Sequence, residues 1–348
     1  MKLFQTIQNL EHEQVLYCHD KATGLKAIIA LHDTTPGRAM GATRLWPYAN
    51  ETDALKDVLR LSQGMTDKAA CANIPVGGAK GVIIAHPEAK TADLLRAYAR
   101  FVDGLGGRFI TGQDVNLSAE DVRTLHQATK YVVGVQEQGG GPAIATAQGV
   151  LLGIQAAVEF RWQLPSLAGL KVAVQGLGNV GQPLCHYLHK QGAQLFVSDW
   201  DLQKTALAQN HYQAIVVPPD QIAALEVDVF SPCALGGVIN PSILGHIKAS
   251  IIAGCANNQL ANEGRDMALL QQKGILYCPD FVINAGGLIN VYHELIGYQA
   301  TRAKAHIHNI HDTLLEIFNY AQATDISTVD AARWVANTRQ VHRQPCTA

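Results

Sequence analysis

Charged side chains are scarce in this 348-residue chain, 16% of the total, and neither sign prevails: 27 Lys and Arg face 29 Asp and Glu, for a net charge of -2. A binder of phosphate backbones normally needs a basic excess or stripe, so no nucleic-acid partner is expected. Aromatic residues make up only 6%, and Trp46, Trp162, Trp200 and Trp334 are too dispersed to form a base-stacking platform. No apolar run reaches the ~18 residues of a membrane span, so no membrane partner is expected. The start, MKLFQTIQNLEHEQ, carries early acids and no continuous apolar stretch, unlike a signal peptide. The seven cysteines (Cys18, Cys71, Cys185, Cys233, Cys255, Cys278 and Cys346) are odd in number, scattered and without a CxxC pair. That pattern excludes a disulfide framework and a zinc knuckle and points to reduced thiols in a cytoplasm. Internal repeats and low-complexity tracts are absent.

What is present is apolar: 48% of residues are hydrophobic, enough for sizeable cores, and at roughly 150 residues per domain the length suits about two. In the first part, KAIIALHD (26–33) and KGVIIA (80–85) read as buried strands. TADLLRAYARFVDGL (91–105) has helical spacing behind a Thr91 N-cap. EQGGGP (137–142) reads as a hinge, because three glycines before a proline suit neither helix nor strand. An apolar helix follows, ATAQGVLLGIQAAVEF (145–160). Strict alternation comes next: strand 170–176, helix 179–192, strand 194–199, helix 202–211, then buried strands at 227–234, 249–256 and 274–284. Strand–helix alternation implies a parallel, doubly wound sheet. A long helix over 291–323 and a final one over 327–342 complete the reading. The expected fold class is α/β in two domains with a cleft between them. Residues 1–141 form a mixed α/β substrate-binding and oligomerisation domain, and 142–324 a Rossmann-type dinucleotide domain. The C-terminal segment 325–348 is placed to pack back on the first domain.

GLGNVG at 176–181 lies between a strand and a helix, the context in which a GxGxxG run binds a dinucleotide. Gly176 permits the tight turn, Gly178 the approach of a pyrophosphate, and Gly181 close helix–strand packing; Asn179 and Val180 complete the loop. The helix N-terminus offers free N–H groups to the phosphates. Asp199, at the end of the next strand, can accept both ribose hydroxyls and repel a 2′-phosphate, so the expected cofactor is NAD. Trp200 is placed to cover its adenosine side.

GMTDKAACANIPVGGAKGV (64–82) holds two lysines, Lys68 and Lys80. Most lysines are solvated surface charges. Lys80, however, sits between glycines and the buried run GVIIA, which aims its ammonium inward. Desolvated beside a second cation, it could serve as a base near neutral pH. Asp114, read as ending the apolar strand RFITGQDV (108–115), would carry protons beside it.

GMTDK, PVGGAKG, the strand-end Asp114, GLGNVG, PCALGG (232–237), AGCANNQL (253–260) and INAGG (283–287) occur in this order. Together they resemble the amino-acid dehydrogenases of the glutamate/leucine/phenylalanine/valine superfamily, from about Met40 to Gly297, with the leucine/phenylalanine branch the nearer. The resemblance implies that Lys68, with Asn258, binds the substrate carboxylate, that Lys80 is the general base, and that Asp114 shuttles protons to the amino group. Main-chain groups at Gly77 would orient the reacting centre. Thr146, Asn257 and Asn284 would hold the nicotinamide, with Cys233 and Ala234 bordering the cofactor. Family members form homo-oligomers through the first domain, and the short terminal extensions favour a dimer here.

The positions that the resemblance assigns to the side-chain pocket carry no charge: Met40, Gly41, Ala69, Ile74, Ile110, Gly112, Leu288, Ile289 and Tyr292. A buried, unpaired carboxylate is costly, so a hydrophobic amino acid is expected rather than glutamate. Gly112 and Leu288 match the phenylalanine enzymes, where leucine enzymes typically carry Ala and Val, and this likeness implies space for a ring; Tyr292 departs from both groups and offers an aromatic wall to a bicyclic side chain. L-Tryptophan, deaminated to its 2-oxo acid, is the expected substrate. If Tyr292 instead fills the pocket, phenylalanine or leucine is. A non-catalytic NAD-binding sensor is the alternative of another class, disfavoured by the presence of Lys68, Lys80, Asp114, Asn257 and Asn258 together. His306, His308 and His311 read as a solvated helix face, and no metal is expected. Cys233 and Cys255 lack a close base and read as packing residues rather than nucleophiles.

Overall fold

The computed structural model describes residues 3–135 and 138–341. Glu137 of the glycine-rich stretch, Cys346 and the remainder of the C-terminal segment past 341 lie outside the described residues. Two compact units form. One comprises Met1–Gln138, Glu294–Gly297 and Ala336–Ala348, the other Gly139–His293 and Tyr298–Val335. Of the described residues in the final segment, those up to Val335 count with the second unit and those from Ala336 to Val341 with the first.

The first unit has six strands: β1 (Gln14–Asp20), β2 (Leu25–Leu31), β3 (Ala39–Met40), β4 (Thr43–Trp46), β5 (Gly77–Ile84) and β6 (Phe109–Ile110). They run in the order β1-β2-β5-β3-β6, with β4 also paired to β5. β2 meets β5 antiparallel, while β3 and β4 meet it parallel. Helices α1 (Leu3–Asn9), α2 (Glu51–Cys71), α3 (Ala92–Asp103) and α4 (Ala119–Ala128) accompany the sheet. As the sequence predicts, the Thr91 side chain caps α3 by accepting from the Leu94 N–H at 3.2 Å, which satisfies one otherwise orphaned donor. α2 starts on an Asn50 cap with Glu51 and Asp53 in its first turn and ends with Lys68 in its last, so its charges complement the helix dipole. Lys68 thus lies inside the helix.

The second unit is a six-stranded, wholly parallel sheet. Its strands are β7 (Lys171–Gln175), β8 (Gln194–Ser198), β9 (Ile215–Val216), β10 (Val229–Pro232), β11 (Ile251–Ile252) and β12 (Leu276–Tyr277). The order is β12-β11-β10-β7-β8-β9. This doubly wound order reverses direction between β7 and β10, the switch point beyond whose strand ends such sheets bind ligands. Its helices are α5 (Gly141–Trp162), α6 (Gly181–Lys190), α7 (Leu202–Tyr212), α8 (Pro241–Leu244), α9 (Glu263–Gln272), α10 (Asp280–Ile283), α12 (Ala300–Thr324), most of α11 (Gly286–Leu295) and the first part of α13 (Thr328–Val341); the last two residues of α11 and α13 from Ala336 count with the first unit. α5 is long and apolar enough to cross a membrane by length and composition alone. Its apolar character serves packing instead. A Cβ at Gly153 would lie 2.4 Å from Ile283 and 2.9 Å from Leu314, and one at Gly149 2.8 Å from Ile310, so α5 is a core helix.

Two secondary-structure readings of the C-terminal half need correction. The segment 274–284 is not one strand: two residues pair in β12, and after Pro279, which lacks a donor to continue the ladder, the chain turns into α10. The single helix expected over 291–323 is two, α11 and α12, parted where Gly297 takes φ +92, a conformation a continuing helix cannot contain.

Candidate functional site

In the first unit the site is built on the close approach of α2 to β5. A Cβ on Gly78 would lie 2.2 Å from the Thr66 nitrogen and 2.4 Å from the Ser62 oxygen. Only glycine lets these backbones touch, and that contact carries the end of α2, with Lys68 and Ala69, alongside the strand of Lys80. Gly41 is equally constrained, since its Cβ would fall 1.8 Å from the Ala79 oxygen. Gly77 donates its N–H to the Arg38 carbonyl at 2.9 Å, so only its carbonyl could serve a substrate.

Lys80 is 6% exposed, and its Nζ lies 2.7 Å from Asp114 Oδ2. Asp114 does not end a long strand as expected. β6 stops at Ile110, and Asp114 stands beyond a bridge pairing Thr43 with Gln113. What holds it is a residue the sequence reading missed, Arg44, whose Nε approaches Asp114 Oδ2 at 3.4 Å and whose Nη1 approaches Asp57 Oδ2 at 3.1 Å. An arginine in a four-residue, largely buried strand was the available signal. Tyr48 donates its hydroxyl to the same Asp57 oxygen. Burial alone raises the pKa of the Asp114 carboxyl, but Lys80 and Arg44 outweigh it and hold it below the usual carboxylate range. The second cation in this network is therefore Arg44. Behind it, Thr43 Oγ1 contacts Tyr98 OH at 2.8 Å and Thr111 Oγ1 at 2.7 Å, and the Tyr98 hydroxyl occupies the space a Cβ on Gly81 would need.

The uncharged positions of this unit converge on the same strand ends. Met40 pairs with Gly78 on one side and Ile110 on the other. The Gly41 N–H donates to the Ile110 carbonyl, and the Thr43 N–H to the Gly112 carbonyl. Met40, Ala69, Ile74 and Ile110 are all buried, as is Gly112, whose Cβ would meet the Val133 oxygen at 3.2 Å.

In the second unit the glycine loop has the shape a dinucleotide needs. Gly176 turns at φ +97, a Cβ on Gly181 would strike the Gly176 oxygen at 1.9 Å, and a Cβ on Gly178 would meet nothing within 4 Å. Gly178 thus fronts open space, while Gly181 lets α6 start directly on the turn; Val180 is the residue before it. Asp199 is more occupied than expected. Its Oδ2 accepts from the Leu177 N–H at 2.7 Å and its Oδ1 from the Asp201 N–H at 2.9 Å, so the carboxylate braces the loop it is assigned to serve. Trp200 is 87% exposed beside it. Ala234 touches Gly176 across the switch point.

Asn284 Nδ2 donates to Asn257 Oδ1 at 2.7 Å and to the Cys255 carbonyl at 3.1 Å, while its Oδ1 is buried without a hydrogen-bond partner among the described residues. A buried, unsatisfied acceptor suits a carboxamide N–H, so the residues present fit a nicotinamide dinucleotide. Thr146 donates its hydroxyl to the Pro142 carbonyl and lies against Gly287. Asn258 adopts φ +52 and accepts from the Gly237 N–H through its carbonyl. On α11, Leu288 and Ile289 are buried and Tyr292 is half-buried. Cys233 and Cys255 adjoin one another: hydrogen bonding from Cys255 lowers the Cys233 thiol against the effect of burial, with Ser231 assisting. Of the three histidines read as one solvated face, His308 is exposed, but His311 pairs with Glu159 and Asp312, and His306 bonds His293. Among the described residues no cluster of three metal-binding side chains occurs.

Comparison with known proteins places these features in a family context. Residues 12–138 match the model of the Glu/Leu/Phe/Val dehydrogenase dimerisation domain, and residues 197–344 that of the Glutamate/Leucine/Phenylalanine/Valine dehydrogenase domain. The chain is 61% identical over 339 residues to an L-tryptophan dehydrogenase of Nostoc punctiforme, covering 97% of this chain and 96% of that one. It is 46% identical to a leucine dehydrogenase of Geobacillus stearothermophilus, covering 97% and 93%. The crystal structure of L-tryptophan dehydrogenase from Nostoc punctiforme superposes with a TM-score of 0.86 at 59% identity, covering 98% of this chain and 99% of that one.

Proposed function

The chain belongs to the glutamate/leucine/phenylalanine/valine dehydrogenase family, and we propose that it catalyses the NAD-dependent, reversible oxidative deamination of L-tryptophan to indole-3-pyruvate and ammonia. The observation that carries this reading is the 61% identity to an L-tryptophan dehydrogenase along nearly the whole chain. The uncharged positions Met40 and Ile110 in the first unit and Leu288 and Tyr292 in the second support it, because none of them is a cation that could hold a distal carboxylate.

Lys68 and Asn258 bind the substrate carboxylate. When bound, the dinucleotide supplies the two-electron acceptor for the hydrogen on the substrate Cα, leaving an imine on the substrate. Lys80 activates the water that attacks this imine by taking its proton. The 2.7 Å contact lets that proton pass to Asp114, which delivers it to the departing amine as the carbinolamine collapses to the 2-oxo acid and ammonia. Arg44 keeps Asp114 anionic, ready to accept. Asn257, Asn284 and Thr146 orient the nicotinamide, and the Gly176–Gly181 loop takes the pyrophosphate. A homodimer formed through the first unit is part of this reading, as are the reducing conditions of a cytoplasm, which suit the free thiols among the described residues.

The test is NADH formation with tryptophan, phenylalanine, leucine and glutamate supplied separately. Tryptophan is expected to give the highest kcat/KM, at least about tenfold above leucine, and glutamate none. A higher value with phenylalanine or leucine would mean that Tyr292 fills the pocket, and no turnover with any would leave a dinucleotide sensor.

Cofactor choice rests on Asp199. An Asp199→Asn chain keeps a carbonyl acceptor for the Leu177 N–H but loses the charge that repels a 2′-phosphate. The ratio of kcat/KM for NAD over NADP is expected to fall by roughly tenfold, the effect of losing about 1.4 kcal/mol of discrimination. An unchanged ratio would remove this role.

A further inference from the structure

We propose that the hydrogen-bonded pair His293 and His306 positions the Tyr292 ring as the wall that recognises the aromatic side chain of the substrate. The proposal deepens the tryptophan reading and rests on it. His293 Nε2 and His306 Nδ1 lie 3.1 Å apart, joining the adjacent helices α11 and α12. The three rings meet edge to face around a triangle. Tyr292 and His293 have centroids 5.8 Å apart at 72°, Tyr292 and His306 6.5 Å apart at 89°, and His293 and His306 5.3 Å apart at 83°. Edge-to-face packing suits the ring quadrupoles and penalises rotation of any one ring. His293 is 7% exposed, Tyr292 and His306 are half-buried. Tyr292 therefore has its inner edge held by two imidazoles while part of its ring remains accessible.

The bond between the imidazoles requires one N–H and one lone pair. With both rings protonated, two N–H groups face each other and the bond is lost. His306 and Arg302 of α12 and Tyr292 on its own helix face His293, and Tyr292 also faces His306. Burial first, then His306 and Arg302, lowers the pKa of His293 and keeps it neutral at neutral pH. These two histidines are positioning residues: neither is placed on the reacting atoms.

The test compares the full-length chain with His306→Leu and His306→Asn, using tryptophan and leucine as substrates. Leucine at position 306 removes the bond and one ring, and is expected to raise KM for tryptophan roughly three- to tenfold with kcat and the KM values for leucine and NAD little changed. Asparagine offers a carbonyl acceptor near the Nδ1 position but cannot be protonated. It is expected to restore most of the tryptophan KM. If His306→Leu leaves the ratio of tryptophan to leucine KM unaltered, the proposal is overturned. Should that variant fail to fold, a ratio of tryptophan to leucine KM raised threefold or more in His306→Asn, which keeps an acceptor for the bond, overturns it instead. Failure of the parent chain to turn over tryptophan at all would strike the functional reading first, which distinguishes the two.

Discussion

Replacing Lys80 with alanine is expected to lower turnover of tryptophan by about 10²–10⁴-fold, the usual contribution of a positioned acid–base group, while NAD still binds. The two effects separate because the glycine loop, Asp199 and the Asn257–Asn284 pair belong to the second compact unit and Lys80 to the first. A competing explanation, that the substitution merely unfolds the protein, is addressed by Arg44. Removing one partner of a buried ion pair costs roughly 3–5 kcal/mol when the remaining charge is left alone. Here Asp114 keeps Arg44 at 3.4 Å, so the loss of stability should be smaller and the chain should remain folded. Single-turnover NADH formation, a fluorescence titration of NADH binding and a melting curve on the same variant check all three statements. Activity close to that of the parent would contradict Lys80 as the base; loss of dinucleotide binding would show that the defect is not confined to chemistry.

The second large effect is on stability. Gly78→Ala is expected to cost more than about 3 kcal/mol, beyond the usual range for overpacking, because besides the Thr66 hydroxyl its Cβ would meet the Thr66 nitrogen and the Ser62 oxygen, both backbone. Side chains can rotate away from an added methyl group; a helix backbone has to move as a body. Moving α2 from β5 would also shift Lys68 and Ala69. Gly64 lies on the same helix with nothing within 4 Å of its Cβ position and a φ outside the left-handed region. Gly64→Ala should therefore stabilise by about 0.5–1 kcal/mol through helix propensity. Thermal or denaturant unfolding of both variants gives opposite signs if the glycine at 78 is required by the helix–strand contact. A Gly78→Ala chain within about 1 kcal/mol of the parent, less than the typical overpacking penalty, would refute that contact.

Much of this was legible before any coordinates because its causes are local. A glycine loop between a β-pattern and a helix pattern, a threonine ahead of an amphipathic run, and uncharged residues at the assigned pocket positions can each be read within a few residues. The errors also have local causes. The apolar stretch 274–284 looks like one strand because a short buried helix has no exposed face to reveal its period. The 291–323 helix looks continuous because a lone glycine inside helical spacing is usually tolerated.

The sequence by itself determined the doubly wound sheet, the dinucleotide loop and the residue types from which an amino-acid dehydrogenase could be recognised, since periodicity, turn chemistry and ordered motifs are properties of the chain. Only the tertiary structure decided which partners those residues have. Arg44 beside Asp114, Asp199 accepting from Leu177 of the glycine loop and from Asp201, and His306 bonded to His293 rather than bathed in water are all contacts of this kind. Their strength depends on distance and burial in three dimensions, and neither quantity is carried by spacing along the chain.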